Sequence, residues 1–398
     1  MIELSHKRFD EVFDLQLGRT PARGVDKYWG GTNTWVSIAD MGHSKYIASS
    51  KECITDAALE ETSIPVVPKD VVIMSFKLSI GKVAITKQVL YTNEAIMAFI
   101  PKPETKILND YLYYYLQGYK WDNSNNVVMG FTLNKKSISS SIIAYPSLPE
   151  QQRIVDILDR EFAKIDALKA NAEQTLQAAK NLFRKSMDIL LSPQANWKEA
   201  KLGEICSKIG SGATPSGGKR TYQNEGINLI RSLNVHNNEF RYDDLAHINA
   251  IQASSLDNVE IHKGDVLFNI TGASVARCCL VPDDVIPARV NQHVSILRPI
   301  PKTINPALLV FIMISPRQNE LLMKTAENGA TRQAITKREL EEWRIQYPSS
   351  TDKQQEIIVR LNELDDKCKA LQENYQKTLT LCDDLKLSLL RKAFNGEL

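Results

Sequence analysis

Arg, Lys, Asn, Gln and Thr residues recur in loop-like segments at corresponding places in the two halves of this 398-residue chain. In the first half they are Arg19, Thr20, Arg23, Lys45, Lys77, Lys82, Lys135 and Lys136. In the second they are Thr214, Lys219, Arg220, Arg231, Asn234, Arg277, Arg289, Asn291, Gln292, Arg332 and Lys337. These side-chain types hydrogen-bond base edges and phosphate oxygens, so the chemistry they suggest is nucleic-acid contact. Any one of them alone is an ordinary solvated surface residue. Their recurrence in a duplicated frame is what raises the group above that background.

Other chemistries fail on spacing. The Gly-rich stretch at 210–220, GSGATPSGGKR, has Ala213 where a phosphate loop needs its first glycine, and Arg220 where it needs Ser or Thr. It reads as a turn. His6, His43, His236, His247, His262 and His293 show no metal-ligand spacing, although His236 and His293 retain some promise as base or phosphate contacts. The carboxylate pairs Asp243-Asp244 and Asp283-Asp284 read as surface turns. There is no Gly-x-Ser-x-Gly elbow, no FxGxG loop and no Asn/Asp-Pro-Pro-Tyr/Phe of an amino-methyltransferase. The chain is expected to have no catalytic role on its own and to need no cofactor or metal. A protein scaffold with duplicated binding blocks and no sequence-selective DNA binding is the competing reading.

Two long helical stretches organise the chain. The first, over 149–192, places Ile154, Leu158, Ile165, Leu168, Ala172, Ala179, Leu182 and Ile189 at coiled-coil spacing, with Phe162, Leu176 and Phe183 widening the stripe. The second, over 351–398, does so with Ile357, Leu361, Leu364, Cys368, Leu371, Tyr375, Cys382, Leu385 and Leu389. At 1.5 Å per residue each makes a rod of roughly 60 Å, too long to bury its stripe in one block. Antiparallel pairing of the two, with a globular block at each end, is the economical solution.

The blocks, 1–148 and 193–350, are copies. Ser211-Gly212-Ala213-Thr214-Pro215 matches Leu17–Pro21, Asn291–Leu297 matches Asn93–Phe99, and the Gln-Gln-x-Ile opening each long helix recurs at 151 and 354. Strand-like runs at Thr34–Ala39, Val71–Phe76, Val83–Thr86 and Ala95–Ile100, then a short helix at Asn109–Gln117, make each block mixed α/β. A single repeat of this length is a domain duplication.

Net charge is only +2, so DNA binding would need a basic partner or small local patches. The 150–192 stretch carries equal numbers of acids and bases, which suits a spacer better than a DNA grip. The six cysteines form no metal or disulfide pattern and read as small core residues. No apolar run spans a membrane and the opening segment lacks a signal-peptide core, so a cytoplasmic location is expected.

The Gly-x-Thr-Pro turns at 18–21 and 212–215 resemble those of the DNA-specificity subunit of type I restriction–modification systems. So do Ile230-Arg231-Ser232-Leu233-Asn234-Val235, Gly264-Asp265-Val266-Leu267 and the stretch Pro146 to Val155 with its Glu150-Gln151-Gln152. The C-terminal copy departs, with Lys353 in place of the Glu. The resemblance covers the whole chain and implies an α+β protein of two target recognition domains separated by two antiparallel coiled-coil helices, with pseudo-two-fold symmetry. Each domain would read one half of a bipartite double-stranded DNA site. The helices would set the spacing and dock two methyltransferase subunits, with restriction/translocase subunits in the full complex. S-adenosylmethionine, ATP and Mg are implied for those partners only.

Overall fold

The computed structural model describes residues 3–77, 79–121, 133–215, 217–327 and 333–398. The chain is α+β and divides into two compact units, Met1–Ala172 with Lys377–Leu398, and Glu173–Gln376. The long helices run over Leu148–Leu190 and Thr351–Phe394, so each contributes to both units.

In the first unit a five-stranded sheet has the order Phe13–Leu17, Ile96–Pro101, Val72–Ser75, Val83–Thr86, Tyr46–Ile47; it is antiparallel except for the last pairing. Its inner strands are apolar throughout because both faces are covered. Val72, Met74, Val83, Ile85, Met97 and Phe99 face a core shared with the helix Asn109–Gly118 and with Ile154, Leu158 and Leu390 of the long helices. The alternate residues Ile73, Ala84, Ile96 and Ala98 face a second core with Val36, Val67 and Leu90 of a smaller four-stranded sheet. Asn109 does not cap its helix as its type suggests: Leu108 holds the cap position, and Asn109 Nδ2 donates to Asp70 O instead.

The second unit repeats this logic. The sheet Cys206–Ser211, Val294–Pro299, Val266–Asn269, Cys278–Leu280 is antiparallel throughout. Val266, Phe268, Cys278 and Leu297 face a core with the helix Pro306–Ile314 and Leu361. Leu267, Cys279, Val294 and Ile296 face a core with a three-stranded sheet holding Leu229, Ile248 and Val290. The adjacent cysteines therefore point into opposite cores. Burial pushes the Cys279 thiol up to about 12 and the Cys278 thiol well above its ordinary value, which makes both inert as nucleophiles.

Each unit fastens its long helix the same way. The strand Ser5–Arg8 pairs with Ile142–Tyr145 just before one helix, and Trp197–Lys201 with Arg344–Pro348 just before the other. The first Gln of each helix is buried. Gln151 accepts from Leu108 N (2.9 Å) and donates to Lys106 O (2.8 Å) and Pro146 O (2.9 Å). Gln354 accepts from Asn305 N (2.8 Å) and donates to Pro348 O (2.9 Å) and Thr303 O (3.4 Å). One amide thus satisfies backbone groups that burial would otherwise strand.

Within each unit the helices pack antiparallel, and most of the predicted stripe is buried, Ala172, Ala179, Cys368 and Cys382 included, but four of its leucines are not. In the first unit Lys169 pairs with Asp383 at 2.7 Å, and Lys386 pairs with Asp166 and lies over the Phe162 ring. In the second, Cys368 Sγ approaches Ala179 O at 3.6 Å. Ile154, Leu158, Ile165, Ile357 and Leu361 are buried as expected, and Leu364 and Tyr375 are half-buried. Leu168, Leu182, Leu371 and Leu385 are instead 50%, 58%, 41% and 48% exposed. Their neighbours Phe183 and Gln372 are half-buried, and Lys169 and Lys386 reach carboxylates of the partner helix. Small Ala172 and Ala179 let the backbones approach, and long lysine stems cover apolar surface while their ammonium groups reach carboxylates. A stripe chosen by apolar identity alone cannot register this.

Candidate nucleic-acid interface

The Gly-x-Thr-Pro turn lies pressed against the Asn-containing turn in both units. A Cβ on Gly18 would sit 2.0 Å from Thr92 O, and one on Gly212 would sit 1.7 Å from Val290 O, so only glycine permits the approach. Backbone bonds hold the two turns together: Arg19 N to Thr92 O at 2.8 Å, and Gly212 N to Asn291 O at 3.1 Å. In the opposing turn Asn93 Oδ1 accepts from Ala95 N at 3.1 Å, and Asn291 Oδ1 accepts from His293 N at 3.0 Å. This self-closure is what Asn side chains do in turns.

The threonines of these turns have equivalent tasks. Thr20 Oγ1 donates to Glu94 Oε2, and Thr214 Oγ1 donates to Gln292 Oε1. Glu94 and Gln292 are exposed and occupy the same turn position, one residue after Asn93 and Asn291. In the second unit the chain continues. Gln292 Nε2 donates to His293 Nε2 at 3.1 Å, which leaves the His293 proton on Nδ1 to donate to Thr271 Oγ1 at 2.6 Å. In the first unit the Thr20 hydroxyl, and then the charges of Lys77 and Arg23, hold the Glu94 carboxyl below the usual carboxylate range.

The predicted residues differ in what they contact. Arg19, with Nη1 bonded to Thr62 O at 2.6 Å, and Thr20, Thr214 and Gln292 sit on the two turns, the Lys77 charge acts on Glu94 beside them, and Arg220 is exposed on the helical turn Gly218–Thr221. Arg23 stacks 4.0 Å from the Trp29 ring centroid and is bidentate to Glu52 at 2.5 and 3.0 Å, a geometry that fixes the guanidinium. Arg277 lies 3.5 Å from His236, and Arg231 bonds Asp244 O and faces the Tyr222 ring. Lys135, Lys136 and Lys337 are exposed in first helical turns capped by Asn134 and Thr336, with Lys337 paired to Glu341 at 3.4 Å. Arg332 and the Lys219 side chain lie outside what is described.

Five of the predicted contacts are committed to the protein itself. Lys45 bridges Asp110 (2.8 Å) and Asp159 (2.7 Å) beneath the Tyr114 ring, tying loop to helix. Lys82 donates to Ile38 O at 3.1 Å. Arg289, with a side chain 7% exposed, pairs with Asp257 (2.8 Å) and Glu260 (3.3 Å). Asn234 is buried and donates to Arg241 O and Asp243 O at 2.9 and 3.1 Å while accepting from Arg231 N. Asn291 is buried and closes its own turn. Charge and polarity at a loop position do not reveal whether the group points outward, which is why the sequence counted these with the rest. Glu94 is not among the sequence candidates because its carboxylate is neither basic nor an amide, and Thr271 is not because it lies outside the recurring Gly-x-Thr-Pro segments. Alignment of Asn93-Glu94 with Asn291-Gln292 was the available signal.

Among the described residues no three His, Cys, Asp or Glu side chains cluster as a metal site, and no helix is long and apolar enough to cross a membrane.

Comparison with known proteins agrees with the duplication. The family described as the type I restriction modification DNA specificity domain matches residues 1–178 and again 194–381. The specificity subunit of the type I restriction enzyme MjaIX from Methanocaldococcus jannaschii is 25% identical over 310 residues, covering 69% of this chain and 68% of that protein. The EcoBI specificity subunit of Escherichia coli is 25% identical over 325 residues, covering 74% and 67%. A chain from a solved structure concerned with complex assembly and conformational transition of the type I R-M system superposes over 100% of both chains with a TM-score of 0.77 at 17% identity. The HsdS subunit from Thermoanaerobacter tengcongensis does so over 99% and 97% with a TM-score of 0.56 at 18% identity.

Proposed function

The chain belongs to the type I restriction–modification DNA specificity family, and from that premise we propose that each of its units reads one half of a bipartite double-stranded DNA site. The observation that carries this reading is the repeated pair of turns. Both units hold the same backbone arrangement, Gly-x-Thr-Pro against Asn-x, yet present different exposed side chains from it. A frame kept constant while its contact groups differ is what two readers of unlike half-sites require. The scaffold alternative explains neither the family match nor the amide, hydroxyl and cationic groups around those turns.

The long helices set the spacing between half-sites and dock two methyltransferase subunits. The exposed leucines favour this: Leu168 and Leu385 in the first unit, Leu182 and Leu371 in the second, are large apolar groups left uncovered along the helices. The chain supplies recognition, and the methyltransferase subunits supply S-adenosylmethionine and the methyl transfer. Restriction/translocase subunits, with ATP and Mg, join the full complex, which works in the cytoplasm.

Methylome sequencing with and without this chain, in the presence of its methyltransferase partner, tests the reading. Loss of one split methylated motif is the expected result. An unchanged methylome would sink it.

A further inference from the structure

Glu94 and Gln292 stand at one corresponding position of the two units and differ in hydrogen-bonding capability. We propose that they are the matched base-edge contacts of the two half-sites, Glu94 selecting cytosine through its N4 amino group and Gln292 selecting adenine through N6 and N7. The inference rests on the DNA-reading function and assigns to it a residue in each half.

Both side chains are long and exposed, and such groups ordinarily lose no rotamer freedom on folding. Here each is held by a threonine hydroxyl, Thr20 on Glu94 and Thr214 on Gln292. The turns are already joined by the backbone bonds Arg19 N to Thr92 O and Gly212 N to Asn291 O. What the clamps fix is the direction of an exposed polar tip, which lowers the entropy lost on contact with a ligand.

The chemistry of the two tips then diverges. Glu94 Oε2 accepts a hydrogen bond from the Thr20 hydroxyl, the carboxyl also accepts from its own backbone N–H, and Oε1 has no partner from another residue among the described residues. Thr20, Lys77 and Arg23 keep the carboxyl ionised, so it only accepts hydrogen bonds. In the major groove cytosine offers the N4 amino donor, guanine offers two acceptors and thymine one, and adenine sets the N7 acceptor beside its amino group. An acceptor-only tip is satisfied best by cytosine: guanine and thymine offer it acceptors only, and at adenine it meets the N7 acceptor beside the amino group. A carboxylate near phosphates is tolerable because Lys77 and Arg23 lie beside it. Gln292 keeps a second N–H beyond the one given to His293, and a second lone pair on Oε1. A donor and an acceptor side by side match adenine N7 and N6. The His293–Thr271 bond braces that amide from behind.

The test uses the chain assembled with its methyltransferase subunits. Binding is measured on a duplex panel in which each base pair of the methylated motif is replaced in turn. Glu94→Gln should move the preference at a single position of one half-site from cytosine to adenine, changing discrimination there about tenfold to hundredfold and leaving every other position alone. Gln292→Glu should do the converse in the other half-site. Thr20→Val, which removes the clamp without touching charge, should blunt the same single position as Glu94→Gln. A panel unchanged by Glu94→Gln, uniform weakening across it, or a wild-type base other than cytosine at the affected position would overturn the assignment. Absence of any base preference in the wild-type complex would instead overturn the DNA-reading function beneath it.

Discussion

The two units place an identical turn under unlike side chains. Asn93 and Asn291 close the turn by the same bond, and Thr20 and Thr214 clamp the next residue, yet that residue is a carboxylate in one unit and an amide in the other. Behind the amide stand His293 and Thr271; beside the carboxylate stand Lys77 and Arg23. The anchoring of the long helices, by contrast, is kept to the atom, with Gln151 and Gln354 spanning equivalent backbone groups. Buried groups with several simultaneous partners tolerate no alternative, whereas an exposed tip changes without disturbing the frame. Divergence therefore collects where it costs little stability.

The largest effect should come from breaking the shared anchor. Gln151→Leu leaves Leu108 N, Lys106 O and Pro146 O buried without their partner, and should destabilise the first unit by about 4 kcal/mol. Gln354→Leu should do the same in the second, read as a shift of the unfolding transition in urea. A loss below about 1 kcal/mol in either would show that the glutamines are not equivalent anchors.

Next, the helix stripe separates fold from surface. Leu158→Ala should cost about 3 kcal/mol, since Leu158 is fully buried in the first core. Leu168→Ala, less than three turns further along the same helix, should cost no more than about 0.5 kcal/mol while weakening capture of the methyltransferase subunits in a pull-down. Equal destabilisation by both would restore the apolar seam read from spacing.

The smallest effect concerns an asymmetry in acid. Burial, then the Arg241 and Arg277 charges, lower the His236 pKa from its ordinary 6.5. Below that value the unfolded chain takes up the proton before the folded one, so this stabilisation is present above about pH 6.5 and is lost as pH falls through the lower folded value. The corresponding position of the first unit is Gly42. Thermal unfolding from pH 7.5 to 5.5 should therefore show a shallower decline for His236→Asn than for the wild type, with the difference confined to the second unit.

Sequence alone determined the duplication, the two long helices, the α+β character and the recurrence of the Gly-x-Thr-Pro and Asn-containing segments in both halves. These follow from periodicity and from glycine, proline and threonine at fixed spacing, which are local properties. Tertiary structure alone decided which loop cations face outward and which, like Lys45 and Arg289, are enclosed by carboxylates from distant segments. It also decided which positions of the helix stripe are covered: Leu168 and Leu385 are exposed, while the adjacent Lys169 and Lys386 pair with Asp383 and Asp166. A side chain's partners depend on residues far away in the chain. Its type and spacing state what it can bond, and only the folded chain states what stands within reach.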